Sequence, residues 1–472
     1  MTGATGLVGQ FLIKDLLFEN QKLAILVRPS RKQSAVERVE SILQRWEKEL
    51  GLELPRPVVF EGDLTNGSLS LNDEQIKWVK NHCDRIIHNA AVLTFNGVDR
   101  NDEPWTTNLT GTKNVLQFCN SCEIDEMHYV STAYVSGVCD SIFYESQFDM
   151  GQDFRNDYER SKFEAEKLVR DATGFKSKTI YRPAVISGDS STGFTPSYHG
   201  VYVYLRLMAT MIPLEPQDDD GIRRISIKLP MQGDEPRNLV PVDWVSTVMT
   251  RIICNSTLHN ETYHLVPQEY ITARNLVEYS YEYFNSTGTT FAEDEDPSYE
   301  HNKFASTYLD NMSVYSDYEQ TDPKFDYANV LKVCGDLPCP KITKDIIFKY
   351  YDFGVKDCWG KRKPTSPEFS CWMKQNRSQL LTTLEKIHTK STELAFGLNL
   401  LGPGGGQWTV VVDGEGNTQI SIGISQMVSN VYTINQNPNS DAQTDELDWG
   451  RNLLAILANL TDSNTNPVQS LV

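Results

Sequence analysis

The sequence predicts an α/β protein: a doubly wound parallel sheet, a smaller and mostly helical region beside it, and a C-terminal α+β domain. Three observations predict this. Through about residue 190, short apolar or β-branched runs alternate with helical stretches, and strands apolar throughout belong to a parallel sheet covered on both faces. The chain opens on "MTGATGLVGQ", where Gly3, Gly6 and Gly9 space a turn that leads into a helix. Beyond a charged, proline-bearing stretch at 360–368, "WTVVVDGEGNTQISI" alternates apolar and polar residues around Asp413-Gly414, a hairpin pattern.

The elements follow in order. "KLAILVR" (22–28) reads as a strand, and 34–50 as an amphipathic helix with Val36, Val39, Ile42, Leu43 and Trp46 on one face. "RPVVFEGDL" is the next strand, and "NDEQIKWVKNH" a helix capped by Asn72. "DRIIHNAAV" is a strand ending in small residues, followed by the helix "TTNLTGTKNVLQFCNSC". "EMHYVSTAYVSG" is a strand and loop, "YERSKFEAEKLVRDAT" a helix, and "KTIYRPAVISG" a strand. Residues 200–212 look helical, 238–253 return to the core, and "TKDIIFKYY" closes this part. The acidic stretch 286–325 is expected at the surface. The aromatic run "YSYEYF" (279–284) suits either an apolar pocket or core packing.

Composition narrows the function. The 472 residues are 39% hydrophobic and 23% charged, enough for two or three domains with a sizeable core. A net charge of −19 argues against nucleic acid as the main partner, since phosphate binding needs a basic surface. No run approaches the roughly 20 apolar residues of a transmembrane segment, and the first residues form a Gly/Thr turn rather than a leader. The nine cysteines are odd in number and scattered; Cys119 and Cys122 form a lone CxxC with no second pair at zinc-ligand spacing. A cytoplasmic protein with reduced thiols and no metal site is therefore expected.

The chemistry rests on an ordered set of residues. A glycine turn at a helix N-terminus attracts a pyrophosphate. After the strand at 22–28, where an acid would bind a ribose 2′-hydroxyl, stands "VRPSRK"; Arg28 and Arg31, with Lys32, suit a 2′-phosphate and favour NADP over NAD. In "DYERSKFEAEKL", Tyr158 and Lys162 stand four apart and share a helix face. An ammonium beside a phenol favours the phenolate and brings it towards working pH. Upstream, Ser131 and Thr132 offer a hydroxyl at a strand end, so that two donors can hold one carbonyl oxygen. His88 is read as packed near the cofactor, and Asp243 as a structural carboxylate.

Taken together, TGATGLVG, GDL (62–64), HNAAV (88–92), NLTGTKNV (108–115), VSTAYVSG, YERSK and YRPAVISG resemble an extended short-chain dehydrogenase/reductase with a Rossmann fold. The stretch from GDL to HNAAVLTF resembles its thioester-reductase and fatty acyl-CoA reductase (male-sterility-like) branch. The resemblance covers 1–255 well and 256–355 loosely. It implies Tyr158 as proton donor, Lys162 as its partner and a contact of the nicotinamide ribose, and Thr132, five residues before Gly137, as the oxyanion-holding hydroxyl. It implies Gly3, Thr5, Gly6, Leu7 and Gly9 around the pyrophosphate, with Ala90 above it. Asp63 and Leu64 would border the adenine, and Pro183 and Val185 the nicotinamide. The activity implied is NADPH-dependent reduction of an acyl thioester, carried by coenzyme A or an acyl carrier protein, to an aldehyde or alcohol. A sugar-nucleotide epimerase or dehydratase of the same superfamily, or a degenerate non-catalytic lipid-binding protein, are the alternatives.

"LNLLGPGGGQWTVVVDGEGNTQISIGI" resembles the start of a sterol-carrier-protein-2-like domain, although no "GKL…GD" stretch follows "LLAILANL". The expected organisation is therefore a reductase domain over 1–255, a substrate-binding helical region over 256–358, a linker over 359–372 and a lipid-binding domain over 373–472. The family carries apolar residues ahead of TGATG, where this chain has Met1 alone. That first strand is expected to pair with 22–28 and 84–88, so the sequence is expected to start late.

Overall fold

The structure, a computed structural model, describes residues 1–51, 54–229, 231–292, 303–313, 318, 322–361, 380–382, 384, 394–401, 406–415, 417–422, 428 and 431–435. It divides into two compact units. One holds Met1–Asp15, Asp63–Ser70 and His82–Lys363; the other holds Leu16–Gly62, Leu71–Asn81 and Pro364–Val472.

The first unit is built on four parallel strands in the order Thr262–Leu265, Ser177–Pro183, Glu126–Val130, Arg85–His88. Their register aligns His88 with Tyr129, Val130 with Tyr181 and Leu265 with Pro183, so the carboxyl ends share one edge. Thr2 adds a single parallel bridge to His88, which is the pairing with 84–88 that the sequence predicts. The strands alternate with the helices Gly111–Cys122, Asp157–Asp171 and Val242–Ile253. The first of these enters through a π-helical turn at Thr106–Thr110, which periodicity alone reads as ordinary helix. Cys119 and Cys122 are buried free thiols on its inner face, and burial pushes Cys119 up to about 12, the state of an inert core cysteine.

A second apolar cluster in this unit gathers the helices Val201–Met211, Ala273–Tyr283, Lys303–Met312 and Lys344–Lys356. It also takes in a parallel pair, Arg223–Lys228 with Ser286–Thr290, that the polar sequences "RRISIK" and "STGTT" do not announce. Here the structure corrects the reading of 286–325 as surface. Phe291, Phe304, Ala305, Tyr308 and Asp322 are buried. The most acidic part, 293–300, lies outside the described residues.

The second unit contains the parallel pair Ala24–Val27 with Val58–Glu61. Its helix Ala35–Leu50 starts on a capping box between Ser34 and Glu37 and stops at the left-handed Gly51. The helix buries Val39, Ile42, Leu43 and Trp46, as its periodicity predicts, together with Glu40 and Glu47, whose charges Arg56 neutralises. The unit also holds a mixed sheet in the order Thr418–Ile422, Gly406–Val412, Leu394–Leu401, Val431–Asn435. The predicted hairpin is present, with Val412 opposite Thr418 and the Asp413 carboxylate accepting from the Glu415 and Asn417 amides. Most of the linker, 362–372, and the segment containing "LLAILANL" lie outside the described residues. Among the described residues, no helix is long and apolar enough to cross a membrane.

Candidate active site

The glycine turn is shaped by three different demands. Gly3 has φ +69°, and a Cβ there would stand 2.6 Å from the Ala90 nitrogen. A Cβ on Gly9 would overlap the Gly3 carbonyl, so the helix Leu7–Phe18 can sit this close only with glycine. Gly6 is exposed, and a Cβ there meets nothing nearer than 3.5 Å. Packing therefore does not explain Gly6. A glycine turn at a helix N-terminus is a geometry that can hold the pyrophosphate of a dinucleotide.

His88 locks this turn to the sheet. Its Nδ1 lies 2.8 Å from Thr2 Oγ1 and its Nε2 3.0 Å from Thr112 Oγ1. Thr112 donates its own proton to the Asn108 carbonyl, so Nε2–H donates to Thr112 and Nδ1 accepts from Thr2. Thr2 Oγ1 in turn accepts from the Ala90 amide at 3.3 Å. Burial, with the Lys162 charge nearby, pushes His88 down to about 3. It is a neutral structural link, not a base.

Tyr158 stands at the first turn of Asp157–Asp171, which Asn156 caps. Asp157 holds the neighbouring loop: its carboxylate accepts from Gly97 N, and its own amide donates to Phe95 O. The Phe95 ring lies 6.5 Å from Tyr158 and 5.5 Å from Tyr318. Burial pushes the Tyr158 phenol up to about 12, against a hydrogen bond with Thr132 that pulls it down. Sequence spacing predicts an ammonium governing that phenol. The Lys162 ammonium instead donates to Val130 O at 2.8 Å and Tyr129 Oη at 3.0 Å, and burial brings it down to about 7.

The two hydroxyls at the strand end part company. Ser131 Oγ donates to Glu166 Oε2 at 2.5 Å. Burial would raise the Glu166 carboxyl, but Arg182 and Arg170, with Ser131, hold it at about 2. Arg182 also reaches His264 Nε2 at 3.2 Å. Ser131 lines the same cavity as Thr132, but its hydroxyl is engaged by Glu166. Thr132 Oγ1 accepts from Tyr134 N and donates to Pro183 O at 3.4 Å.

These groups line one cavity of about 430 Å³. Leu7 and Val8 border it on the glycine-turn side; Thr132, Tyr158 and Lys162 follow, with Pro183 and Val185. It continues along an apolar wall of Leu229, Met231, Leu276, Val277 and Met312. None of 279–284 lines it; Tyr281 packs in the adjacent apolar core.

The other predicted residues take these places. Asp63 Oδ1 accepts from the amide and hydroxyl of Thr65, and Leu64 is buried against Gly111, its carbonyl accepting from Asn114. Thr5 O accepts from Gln10. Arg28 and Arg31 are exposed and belong to the second unit, where the Arg28 carbonyl accepts from Arg38. Asp243 accepts from both the amide and the hydroxyl of Ser190. Sequence reasoning missed Asn108. Its amide pairs with both backbone groups of Val92 and donates to Ser161, tying the loop after His88 to the Tyr158 helix. The signal was the motif NLTGTKNV, which carried a resemblance but no role. It also missed Asp322, buried in the cavity wall and accepting from Tyr134 Oη and Asn238 N.

The glycine turn, the parallel sheet and the Tyr–Lys helix at its carboxyl edge define a class, the Rossmann-fold NAD(P)-dependent oxidoreductases. Residues 1–249 match the NAD-binding family described as Male sterility protein, and the chain belongs to that family. It is similar to "Aldehyde reductase lnbA" of Aspergillus flavus, 26% identical over 291 residues that cover 57% of this chain and 26% of that protein. It is also similar to the alcohol-forming fatty acyl-CoA reductase of Simmondsia chinensis, 25% identical over 247 residues, 46% of this chain and 48% of that protein. The chain thus spans from about a quarter to a half of the length of these two relatives. Among solved structures, the terminal R domain from the myxalamid PKS-NRPS biosynthetic pathway shares the fold. Its TM-score is 0.61 at 23% identity, over 76% of this chain and 91% of that one.

Proposed function

We propose that this chain reduces an acyl thioester to an aldehyde with NADPH. The observation that carries the reading is the single cavity in which the Thr132–Tyr158–Lys162 group adjoins an apolar wall. That wall suits an acyl chain better than a nucleotide sugar. The names of the relatives, an aldehyde reductase, a fatty acyl-CoA reductase and an R domain, support the same substrate class.

In this reading the Gly3–Gly9 turn holds the pyrophosphate, Thr5, Leu7 and Ala90 flank it, and Asp63 and Leu64 border the adenine. Arg28 and Arg31 select the 2′-phosphate. Lys162 holds the nicotinamide ribose, with Pro183 and Val185 against the ring. Bound nicotinamide supplies the hydride. The chain's own residues do the rest: Thr132 and Tyr158 donate hydrogen bonds to the thioester carbonyl oxygen, where charge develops. A phenol held at about 12 is protonated at neutral pH, so Tyr158 is ready to give its proton to that oxygen. The resulting hemithioacetal collapses to an aldehyde and a free thiol.

The test is oxidation of NADPH and NADH by the purified chain against acyl-CoA and phosphopantetheinyl-carrier thioesters. Thioester-dependent NADPH oxidation with aldehyde release is expected. Cofactor binding with no turnover on any thioester would overturn the reading.

A further inference from the structure

At the edge of the sheet opposite the cavity, three side chains meet that the site above does not use. Glu126 and His128 lie two apart on one strand and so share a face. His259 follows the turn Ser256–Leu258. One donor atom from each lies within 4.8 Å of the others.

The hydrogen bonds leave the inward lone pairs open. His259 Nε2 lies 3.1 and 3.2 Å from the carbonyls of Ile252 and Ile253, so that nitrogen carries the proton and Nδ1 is a bare lone pair. This Nδ1 stands 3.9 Å from Glu126 Oε2. His128 is fully buried; its Nδ1 lies 2.9 Å from Tyr181 Oη, while its Nε2 has no hydrogen-bond partner among the described residues. Glu126 Oε2 is also buried without one.

We propose that Glu126 Oε2, His128 Nε2 and His259 Nδ1 bind a divalent transition metal ion, with zinc as the best match. Two imidazoles and a carboxylate are a borderline-soft donor set suited to zinc. The far nitrogen of His259 is held by two carbonyls, the arrangement that fixes ring and tautomer in metal-ligating histidines, and the Tyr181 hydroxyl can accept from His128 Nδ1–H and so leave Nε2 to the metal. Tetrahedral bonds near 2.1 Å put donors about 3.4 Å apart, so the 3.9 Å between His259 Nδ1 and Glu126 Oε2 needs to shorten by only about half an ångström. The Glu126 side chain is 28% exposed and opens a path from solvent. Arg85, 3.5 Å from Glu126 and anchored on Ile253 O, is the cation the metal must displace from the carboxylate. Expecting no metal from the sequence considered cysteine pairs alone, and these ligands are neither cysteines nor contiguous. The ion would brace the turn after Val242–Ile253 against the sheet, away from the reacting atoms.

The experiment uses the full chain stripped with EDTA. Zinc binding is followed by calorimetry, thermal unfolding is measured with and without zinc, and cobalt is substituted for its visible spectrum. One zinc per chain, a raised unfolding temperature and a tetrahedral cobalt spectrum free of thiolate charge transfer are expected. His259→Gln and His128→Gln should each weaken zinc by about 100-fold or more. Glu126→Gln, at a partly exposed position, should do so with the far-ultraviolet spectrum unchanged, which keeps the test open if a histidine variant misfolds. No saturable uptake, uptake indifferent to these substitutions, or a thiolate band in the cobalt spectrum would overturn the proposal.

Discussion

If the apolar wall holds the acyl chain, its length should be readable in the kinetics. Each methylene buried there contributes about 0.8 kcal/mol, which is roughly fourfold in kcat/KM at tenfold per 1.4 kcal/mol. Leu229, Met231, Leu276 and Val277 give the wall its apolar face, with Arg237 beside Met231 and Asp322 lining the same cavity, so the gain should repeat along the apolar residues and then stop. The perturbation is Leu276→Trp, on the helix Ala273–Tyr283, which puts an indole where the distal methylenes would lie. The assay is kcat/KM for NADPH oxidation over even-numbered acyl-CoA esters from butanoyl to hexadecanoyl. Wild type should climb about two- to fourfold per methylene and then level. Leu276→Trp should share the slope for short chains and level earlier, since Thr132 and Tyr158 are untouched. A flat profile in wild type, or an unchanged break point in a variant that binds NADPH normally, would refute the assignment of this wall to the acyl chain.

The other expectations concern the proton donor, the cofactor and pH. Tyr158→Phe should lower turnover by about 10²-fold or more with NADPH affinity kept; near-normal turnover removes Tyr158 from the mechanism. Arg28→Asp should narrow the preference for NADPH over NADH by about 10- to 100-fold, the equivalent of one charge-assisted contact; equal Kd ratios in both proteins count against the basic cluster. His88 and His264 are each held near 3 by burial. Their folded values lie below the unfolded value near 6.5, so the unfolded chain takes up protons first, and stability complete above about pH 6.5 is lost as pH falls towards 3. Two protons cost roughly 2.7 kcal/mol per pH unit once the unfolded histidines are charged, at about 1.36 each. Urea unfolding at pH 7.5, 6 and 5 should show this loss, and His264→Gln should reduce its slope by about a half; a midpoint constant down to pH 5 would contradict it.

Much of the fold was legible because its signals are local. The helix at 35–50 declares its buried face by period and its ends by Ser34 and Gly51. The strands at 85–88, 126–130 and 177–183 declare themselves by short apolar or β-branched stretches between helices. Tyr158 and Lys162 are legible as a pair because four residues is one helical turn. The pair Arg223–Lys228 with Ser286–Thr290 was not, because it joins polar segments far apart in the chain and only tertiary packing selects it.

What the sequence could not show is which of two adjacent hydroxyls is already engaged by a carboxylate. Ser131 and Thr132 alternate across a strand end, and either offers a donor. The choice is made by Glu166, which reaches Ser131 from the Tyr158 helix and is itself held by Arg182 from the next strand. Residues 131, 166 and 182 meet only because parallel register brings Val130 opposite Tyr181. The same holds for Glu126, His128 and His259. The first two share a face by the two-residue period of a strand, and that much is legible. The third arrives from the turn Ser256–Leu258, which follows the helix Val242–Ile253 and is remote in sequence from the strand. Local spacing therefore finds groups that act within one element, such as Tyr158 and Lys162. Groups that act by convergence, including the carboxylate that engages Ser131, require the register first.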